Sequence, residues 1–267
     1  MKRVVLLING DLGLNVLKYL IDQTNVEVSG VILNSVYKRD SNYFNLISGL
    51  LQDFGKDLPV LSYEKSIDIK DQVRDILQDS NYGVSALFGH ILPNELLDNV
   101  DCEIINLHPS LLPNGRGADP IPWSIIDQQK QGVTIHVIDS GLDTGAVLFQ
   151  RDFRTDIGMN AGQIYEIATA MLFQEFVGIF HHWLSGSIGK VPQLDFPVSI
   201  HKSADLEKIR VIKSGDTGTF EDFVRKLQAL TFADGRKPLF VDESGKLWRI
   251  NFSLTREGEE YQEEKLP

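Results

Sequence analysis

The chain has very few cysteines: Cys102 is the single one in 267 residues, so no disulfide can form within the chain and a reducing compartment suits it. Cys102 stands in the apolar stretch CEII, which predicts a buried thiol rather than a nucleophile. Positive charge is also scarce, since 26 Lys and Arg residues face 37 Asp and Glu residues and the net charge is −11. Such a chain repels a phosphate backbone, so we do not expect nucleic acid as a partner.

Long hydrophobic runs are absent as well. No segment approaches the roughly 20 apolar residues that a membrane span needs. The N-terminal MKRVVLLINGDLG begins like a signal peptide, but its apolar run is short and leads into a helical pattern, so a first strand is the better interpretation. We therefore expect a cytoplasmic protein without membrane contact.

The sequence does contain a regular alternation of short apolar runs and helix-like stretches. Runs rich in Val and Ile recur at 3–8, 26–33, 58–63, 83–89 and 102–107. Continuous apolar strands separated by amphipathic helices predict an α/β fold with a Rossmann-like, doubly wound, mostly parallel sheet. Two more extended runs, 132–139 and 146–154, should extend the same sheet, and a long helix is predicted over about 160–184.

The composition changes after the segment LSGSIGKVPQLDFP. An amphipathic helix is predicted to begin at Thr219 with an acidic first turn, and PLFVDESGKLWRINF reads as a β-hairpin. We therefore divide the chain into a main domain, 1–195, and a small C-terminal appendage of helix and hairpin, 196–267. The charged end, REGEEYQEEKLP, is expected to be frayed.

The turn after the first strand, NGDLG, is one candidate binding element. It lacks the full G-x-G-x-x-G spacing, and VILNSV offers no acidic residue after the second strand, so a nicotinamide site is not favoured. Gly10 and Gly13 instead predict a tight strand-to-helix turn whose amides could face a ligand or an anion.

The stretch INLHPS is the second candidate, because ligands of such sheets bind beyond the carboxyl ends of the strands. Residues i and i+2 of a strand share a face, so Asn106 and His108 should project together. A carboxamide donor beside an imidazole is suited to stabilising an oxyanion and moving a proton. The following loop should be restricted by Pro109, Pro113, Pro120 and Pro122.

Asp143, in SGLDTG, is the third candidate, since a carboxylate near an imidazole orients it and favours its protonated form. An Asn, a His and a distant Asp make a plausible catalytic trio. The residues alone leave a second interpretation open, in which Asp143 forms a turn and His108 is a capping residue.

A longer pattern carries a resemblance to a known family. FGHILP, INLHPSLLPNGRGADPIPW, GVTIHVIDSGLDTG and AVLFQ follow in the order and spacing of the catalytic core of the folate-dependent formyltransferases. That family includes glycinamide ribonucleotide and methionyl-tRNA formyltransferases and the sugar-nucleotide N-formyltransferases. The match spans about 65 residues, roughly from the fourth predicted strand to the seventh.

The resemblance implies roles for particular residues. The catalytic asparagine, histidine and aspartate of the family fall on Asn106, His108 and Asp143. The formyl donor is then 10-formyltetrahydrofolate, a co-substrate, and no metal is required. The segments expected to hold the folate contain Phe88, Gly89, Ile91, Leu92, Ile138, Asp139 and Gly141. His136 is left out of the catalytic set, and His90 is left open between a folate contact and a surface side chain.

The acceptor is predicted from the C-terminal region, because FVRKLQALTFADGRKPLFVDESGKLWRI resembles the tail of sugar-nucleotide N-formyltransferases, apart from Gln228 and the ADGRK turn. The resemblance therefore implies a dTDP- or GDP-linked 4-amino-4,6-dideoxyhexose for O-antigen, lipopolysaccharide or another surface polysaccharide. Residues expected near the acceptor are Gly10, Ser110, Asn114, Arg116 and Gly117. Arg116 is the best-placed cation for the diphosphate, although a loop-stabilising arginine is equally consistent.

Other functions stay open at this point. A glycinamide ribonucleotide enzyme, a methionyl-tRNA enzyme, a formyltetrahydrofolate hydrolase that uses water, and a non-catalytic folate-binding module all share the core pattern. The acidic charge disfavours the tRNA enzyme, and an intact Asn106, His108 and Asp143 disfavours the silent module. The sequence also leaves a homodimer open.

Overall fold

The computed structural model describes residues 1–34, 41–55, 57–63, 69–98, 100–194, 198–232 and 237–255. Its strands are β1 (Lys2–Ile8), β2 (Val26–Asn34), β3 (Val60–Tyr63), β4 (Tyr82–Ala86), β5 (Glu103–His108), β6 (Gly132–Val137), β7 (Val147–Asp152), β8 (Val211–Lys213), β9 (Leu239–Val241) and β10 (Leu247–Arg249). Its helices are α1 (Gly10–Ile21), α2 (Ser41–Asp53), α3 (Lys70–Gln78), α4 (Asn94–Leu97), α5 (Pro120–Ile126), α6 (Ala161–Leu184), α7 (Ser203–Ile209) and α8 (Phe220–Ala229).

The first seven strands form one sheet in the order β3-β2-β1-β4-β5-β6-β7. The first five strands of the chain pair in parallel, whereas β6 and β7 are antiparallel to their neighbours. The predicted doubly wound, mostly parallel sheet is confirmed, and so is its extension by the two later runs. No helix within the described ranges has both the length and the hydropathy of a membrane span.

Both faces of this sheet are covered, which explains why β1 is continuously apolar from Val4 to Ile8. Val4, Leu6 and Ile8 join a core shared with α1, α2 and α6, while Val5 and Leu7 join a second core shared with α3 and α4. Successive side chains of a strand point to opposite faces, so a strand buried on both sides carries no polar alternation. Cys102 packs beside the second core, and burial raises the pKa of its thiol to about 12.

The long helix α6 forms where its pattern predicts. Asn160 caps it, because the Asn160 side chain accepts from the Gln163 backbone N–H while the Gln163 side chain accepts from the Asn160 N–H. Its apolar stripe lies on the first core, with Phe176, Phe180 and Trp183 fully enclosed. This helix therefore fixes the face of the sheet opposite to the candidate site.

Helix α5 lies where a proline-restricted loop was expected. Pro120 and Pro122 stand in its first turn, where a backbone N–H has no helical partner and proline is tolerated. The prediction that all four prolines restrict a loop is therefore wrong for two of them, because Pro120 and Pro122 begin a helix. The described ranges also contain three short elements that the sequence did not predict, α4, α7 and β8.

The C-terminal region confirms the predicted helix and hairpin. Thr219 caps α8 through a reciprocal hydrogen-bond pair with Asp222, and β9 pairs with β10 in antiparallel register. Trp123 of α5 packs against Leu206 and Leu230 of this region. The division at residue 195 stays a prediction, since residues 195–197, like the predicted frayed end at 256–267, lie outside the described residues.

Candidate active site

The antiparallel pairing of β5 with β6 places four polar side chains on one face of the sheet. Asn106 is opposite His136 and His108 is opposite Thr134. Ile105 and Leu107, which alternate with Asn106 and His108 along β5, are buried in the first core on the other face. Asn106 and His108 therefore share a face, as the i and i+2 spacing predicts.

His136 lies at the centre of this group. Its Nδ1–H donates to the Val137 carbonyl at 2.9 Å, so its Nε2 is the acceptor for the Asn106 amide N–H at 3.2 Å. Burial, with the neighbouring His108, lowers the pKa of His136 to about 4, although the Asp143 carboxylate acts in the opposite direction. At neutral pH this imidazole is uncharged. Its Nε2 lone pair therefore fixes the orientation of the Asn106 amide, with the NH2 group toward His136.

His108 is 5% exposed and is held by the loop that follows it. Its Nε2–H donates to the Gly115 carbonyl at 2.9 Å, because a carbonyl can only accept. The other ring nitrogen, Nδ1, lies 4.0 Å from the Asp143 Oδ1. The nitrogen that is left for proton movement is therefore the one that faces the carboxylate.

Asp143 stands between the two imidazoles. Its Oδ1 is 3.6 Å from the His136 Nε2, and its Oδ2 accepts a 2.9 Å hydrogen bond from the Gly117 N–H. Its backbone is left-handed, with φ of 53°. The turn-forming carboxylate of this loop is a different residue, Asp139, whose Oδ1 accepts from the Gly141 N–H and the Thr144 hydroxyl.

The loop between β5 and α5 is tied down by buried hydroxyls. Thr134 donates to the Ser110 carbonyl and accepts from the Leu112 N–H. The Ser110 hydroxyl donates to the Asn114 carbonyl, so it already has a partner inside the loop. These contacts hold Gly115 against His108.

Gly117 is a position where only glycine fits. Its φ is 92°, and a Cβ there would lie 2.6 Å from the His201 carbonyl oxygen. That carbonyl accepts from the Ala118 N–H at 3.1 Å. His201 itself stacks on Trp123 with ring centroids 3.8 Å apart, and its Nε2 is 3.3 Å from Asp127. A segment from beyond α6 therefore fixes the loop that contacts Asp143.

Comparison with known proteins gives this geometry its context. The sequence model of the family described as Formyl transferase matches residues 2–172. The chain belongs to the Formyl transferase family.

Two formyl transferase relatives each match about two thirds of the chain. The dTDP-4-amino-4,6-dideoxyglucose formyltransferase of Mycobacterium bovis is 34% identical over 184 residues, which are 67% of this chain and 75% of that protein. The formyltransferase PseJ from Anoxybacillus kamchatkensis, solved with UDP-4,6-dideoxy-4-formamido-L-AltNAc and tetrahydrofolate, is 30% identical with a TM-score of 0.51 over 67% of this chain and 88% of its own.

One solved structure supports the fold over almost the whole length. A 4-N formyltransferase from Francisella tularensis superposes with a TM-score of 0.80, covering 96% of this chain and 98% of its own at 21% identity. The small C-terminal region is thus part of a known formyl transferase architecture.

In this formyl transferase the two predicted folate segments meet in the second core. Phe88 and Leu92 are buried there, and Ile138 packs beside them, whereas Ile91 is 68% exposed. Gly89 has a positive φ of 72° beside the Asn34 side chain. The fourth and sixth strands thus bring both segments to one edge of the cluster.

Two residues near these segments were missed or left open by the sequence. His90 accepts or donates at 2.8 Å with the Asn34 side chain, and its ring contacts Tyr63 and Phe88. Asn34 ends β2, so the rule that ligands bind at the carboxyl ends of strands could have identified it. His136 lies outside the catalytic set predicted from the sequence, and its contact with Asn106 could have been found once β6 was taken as antiparallel.

Gly10 and Arg116, which are predicted to lie near the acceptor, both make contacts within the protein. Gly10 begins α1 with a φ of 61°, and its carbonyl accepts from the Tyr43 hydroxyl at 2.7 Å. Arg116 donates through Nη2 to the Gln193 side chain at 2.8 Å, while its buried Nε has no partner among the described residues. The roles of these residues toward a substrate stay predictions.

His108, His136 and Asp143 also form a donor set that a divalent metal uses, with one ligand atom of each lying within 4.8 Å of the others. An amide, an imidazole and a carboxylate can also perform acyl transfer without an ion. Sensitivity of turnover to a chelator distinguishes the two uses of this group.

Proposed function

We propose that this formyl transferase moves the formyl group of 10-formyltetrahydrofolate to the amine of a nucleotide-linked 4-amino-4,6-dideoxyhexose. The observation that carries the proposal is the placement of Asn106, His108 and Asp143 around one point on the sheet face. The 34% identity to an enzyme named for a dTDP-linked amino sugar supports the acceptor class.

Asn106 is the proposed oxyanion donor. The acceptor amine attacks the formyl carbon, the new C–N bond forms, and the carbonyl oxygen gains negative charge. One N–H of the Asn106 amide is held by His136, which leaves the second for that oxygen. Loss of one such donor costs about 2.7 to 4 kcal/mol of barrier.

His108 and Asp143 are the proposed proton-handling pair. The attacking amine must lose one proton, and the folate N10 must gain one before its bond to the formyl carbon breaks. Asp143 accepts the amine proton directly or through water, and His108 stabilises the oxyanion or passes the proton on. The 4.0 Å gap between the His108 Nδ1 and the Asp143 Oδ1 exceeds hydrogen-bond length, so a direct transfer requires the two groups to approach by about 1 Å when the substrates bind.

The folate is proposed to lie along Phe88, Gly89, Ile91, Leu92, Ile138, Asp139 and Gly141, where a buried apolar cluster borders two irregular loops. The acceptor diphosphate is proposed to lie toward Gly10, Ser110, Asn114, Arg116 and Gly117. Arg116 supports this location of the diphosphate, because the buried Nε–H of its guanidinium has no partner among the described residues.

We place the reaction in the cytoplasm, in the synthesis of a surface polysaccharide such as O-antigen, with a homodimer as the proposed assembly. Methionyl-tRNA is disfavoured as the acceptor by the net charge of −11. Glycinamide ribonucleotide and water are the other acceptors that the experiment must distinguish.

The test is a steady-state assay with 10-formyltetrahydrofolate and a panel of dTDP-, GDP- and UDP-linked amino sugars. Glycinamide ribonucleotide, formylatable tRNA and no acceptor serve as comparisons, and each reaction is repeated with a chelator. We expect formylation of one nucleotide sugar at a rate that the chelator does not change. Formate release without an acceptor would assign a hydrolase instead, and loss of turnover with the chelator would contradict the metal-free mechanism.

A further inference from the structure

Gln193 lies in the connection after α6, just beyond the point where Val191 pairs with Val147 at the edge of the sheet. Its neighbours on both sides are exposed, whereas its own side chain is partly buried. That side chain turns away from solvent and toward the loop between β6 and β7. No feature of the sequence had singled it out.

The carboxamide of Gln193 is fully engaged. Its Nε2 donates to the Asp143 carbonyl and to the Gly145 carbonyl, each at 2.8 Å. Its Oε1 accepts from the Arg116 Nη2 at 2.8 Å. Both N–H bonds of the amide are thus used on the backbone of Asp143 and Gly145, and the oxygen is used on Arg116 of the loop between β5 and α5.

Asp143 needs such support because its own backbone is strained. A φ of 53° is unfavourable for a residue other than glycine, and the loop around it lies outside the regular strands. The distances from Asp143 Oδ1 to the His136 Nε2 and the His108 Nδ1, 3.6 and 4.0 Å, depend on where this backbone is held. A shift of about 1 Å at a reacting group can cost about 100-fold in rate.

We propose that Gln193 is a positioning residue for Asp143, and that it links the occupancy of Arg116 by the acceptor to the placement of the catalytic carboxylate. Gln193 does not touch the reacting atoms. It holds the carbonyl of Asp143 itself and that of Gly145, and it contacts Arg116 on the neighbouring loop. The inference deepens the proposed function and rests on it for the identity of the reaction.

Two substitutions separate the two contacts of Gln193. Gln193→Ala removes both, whereas Gln193→Glu keeps an acceptor for Arg116 but removes the donors to the two carbonyls. We expect both variants to lower kcat at least tenfold, with the KM for the folate within twofold of the original. Gln174→Ala, an exposed glutamine on α6, is the matched control and should behave like the unmodified protein. Unchanged kcat in Gln193→Glu would overturn the positioning role.

The link to Arg116 is tested by a double-mutant cycle with Arg116→Ala. If Gln193 transmits the state of Arg116, the loss of kcat caused by Gln193→Ala should be at least threefold smaller in the Arg116→Ala background. Losses that multiply independently would overturn the link while leaving the positioning role in place.

A readout without any acceptor keeps the inference separate from the proposed function. The backbone amide signal of Gly117 is followed by NMR at constant pH, because that N–H donates to the Asp143 Oδ2 at 2.9 Å. In Gln193→Glu and Gln193→Ala this signal should shift, since the Asp143 and Gly145 carbonyls lose their donors and the carboxylate moves, whereas Gln174→Ala should leave it in place. An unmoved Gly117 signal would contradict the inference even if no amino sugar were formylated. Failure of turnover in the unmodified protein alone would contradict only the proposed function.

Discussion

The Asn106 carboxamide has two N–H bonds, and the neutral His136 Nε2 accepts one of them at 3.2 Å. The arrangement defines the orientation of the amide, because a reversed amide would set its oxygen against the lone pair of His136. The second N–H is therefore the donor available to a developing oxyanion.

Replacing Asn106 by Ala removes that donor. We expect kcat to fall about 100- to 1,000-fold, since one oxyanion donor contributes about 2.7 to 4 kcal/mol. The KM for the folate should change little, because Asn106 is proposed to act on the transition state. Steady-state kinetics beside a thermal melt check this, and a loss of less than fivefold would exclude Asn106 as the main donor.

His136 makes the stability of the protein depend on pH. Its pKa of about 4 in the folded state lies below the ordinary value of 6.5, so the unfolded chain takes up a proton more readily than the folded one. Stability is therefore lost as the pH falls from about 6.5 toward 4. Between pH 7 and pH 4.5 this single group accounts for about 2 kcal/mol.

The substitution His136→Gln removes the titration while keeping a polar side chain. Urea unfolding at pH 7 and at pH 4.5 should show a loss of stability that is about 2 kcal/mol smaller in the variant than in the unmodified protein. Carboxylates that titrate in both proteins contribute equally to the two losses of stability, so the difference between the losses reports His136. Equal losses would mean that His136 is not buried as a neutral ring.

At the scale of elements, the β5–α5 loop depends on a backbone that lies far away in the sequence. Gly117 approaches the His201 carbonyl so closely that a Cβ would stand 2.6 Å from it, and the Gly117 N–H holds the Asp143 Oδ2. A displacement of Gly117 would therefore move the Asp143 carboxylate to which it donates.

We expect Gly117→Ala to lower kcat at least tenfold and stability by about 1 to 3 kcal/mol, because a positive φ and a collision coincide there. Gly178→Ala is the matched control, since a Cβ at Gly178 meets nothing within 4 Å and Gly178 lies inside α6. The control should be as stable as the original or slightly more so. Equal behaviour of the two variants would contradict the close approach.

The elements that sequence patterns predict here are those whose own residues determine them. The capped helix α6 and the apolar strands follow from periodicity, and the shared face of Asn106 and His108 follows from the strand repeat of two. What escaped prediction depends on pairing between distant segments. His136 acquires its place from the antiparallel register of β6, and α5 is stabilised by Leu206 and Leu230 from the C-terminal region.

At the scale of the whole molecule, Trp123 joins the two predicted regions in one hydrophobic cluster. Leu230 of the C-terminal region is fully buried against it. A shared core of this kind should make the regions unfold together, because neither can expose its half of the cluster alone without cost.

Leu230→Ala should therefore lower the stability of the entire protein by about 2 to 5 kcal/mol, as a large-to-small change in a core does. Urea unfolding followed by circular dichroism and by tryptophan fluorescence should give one coincident transition in both proteins. Ala229→Gly, at the neighbouring buried position of α8, is a comparison that disturbs the helix without removing a large side chain. Two separated transitions would show that the regions are independent.

The pairing of Gly117 with His201 also has a consequence during synthesis. The seven strands and the α6 helix that covers them are complete before His201 leaves the ribosome, so the sheet can form while the loop beside Asp143 still lacks its backbone partner. A nascent chain that ends before His201 would then contain all seven strands and lack the contact that fixes the loop of the proposed site. Competence for the proposed catalysis would therefore come after the sheet, and not together with it, in the growing polypeptide.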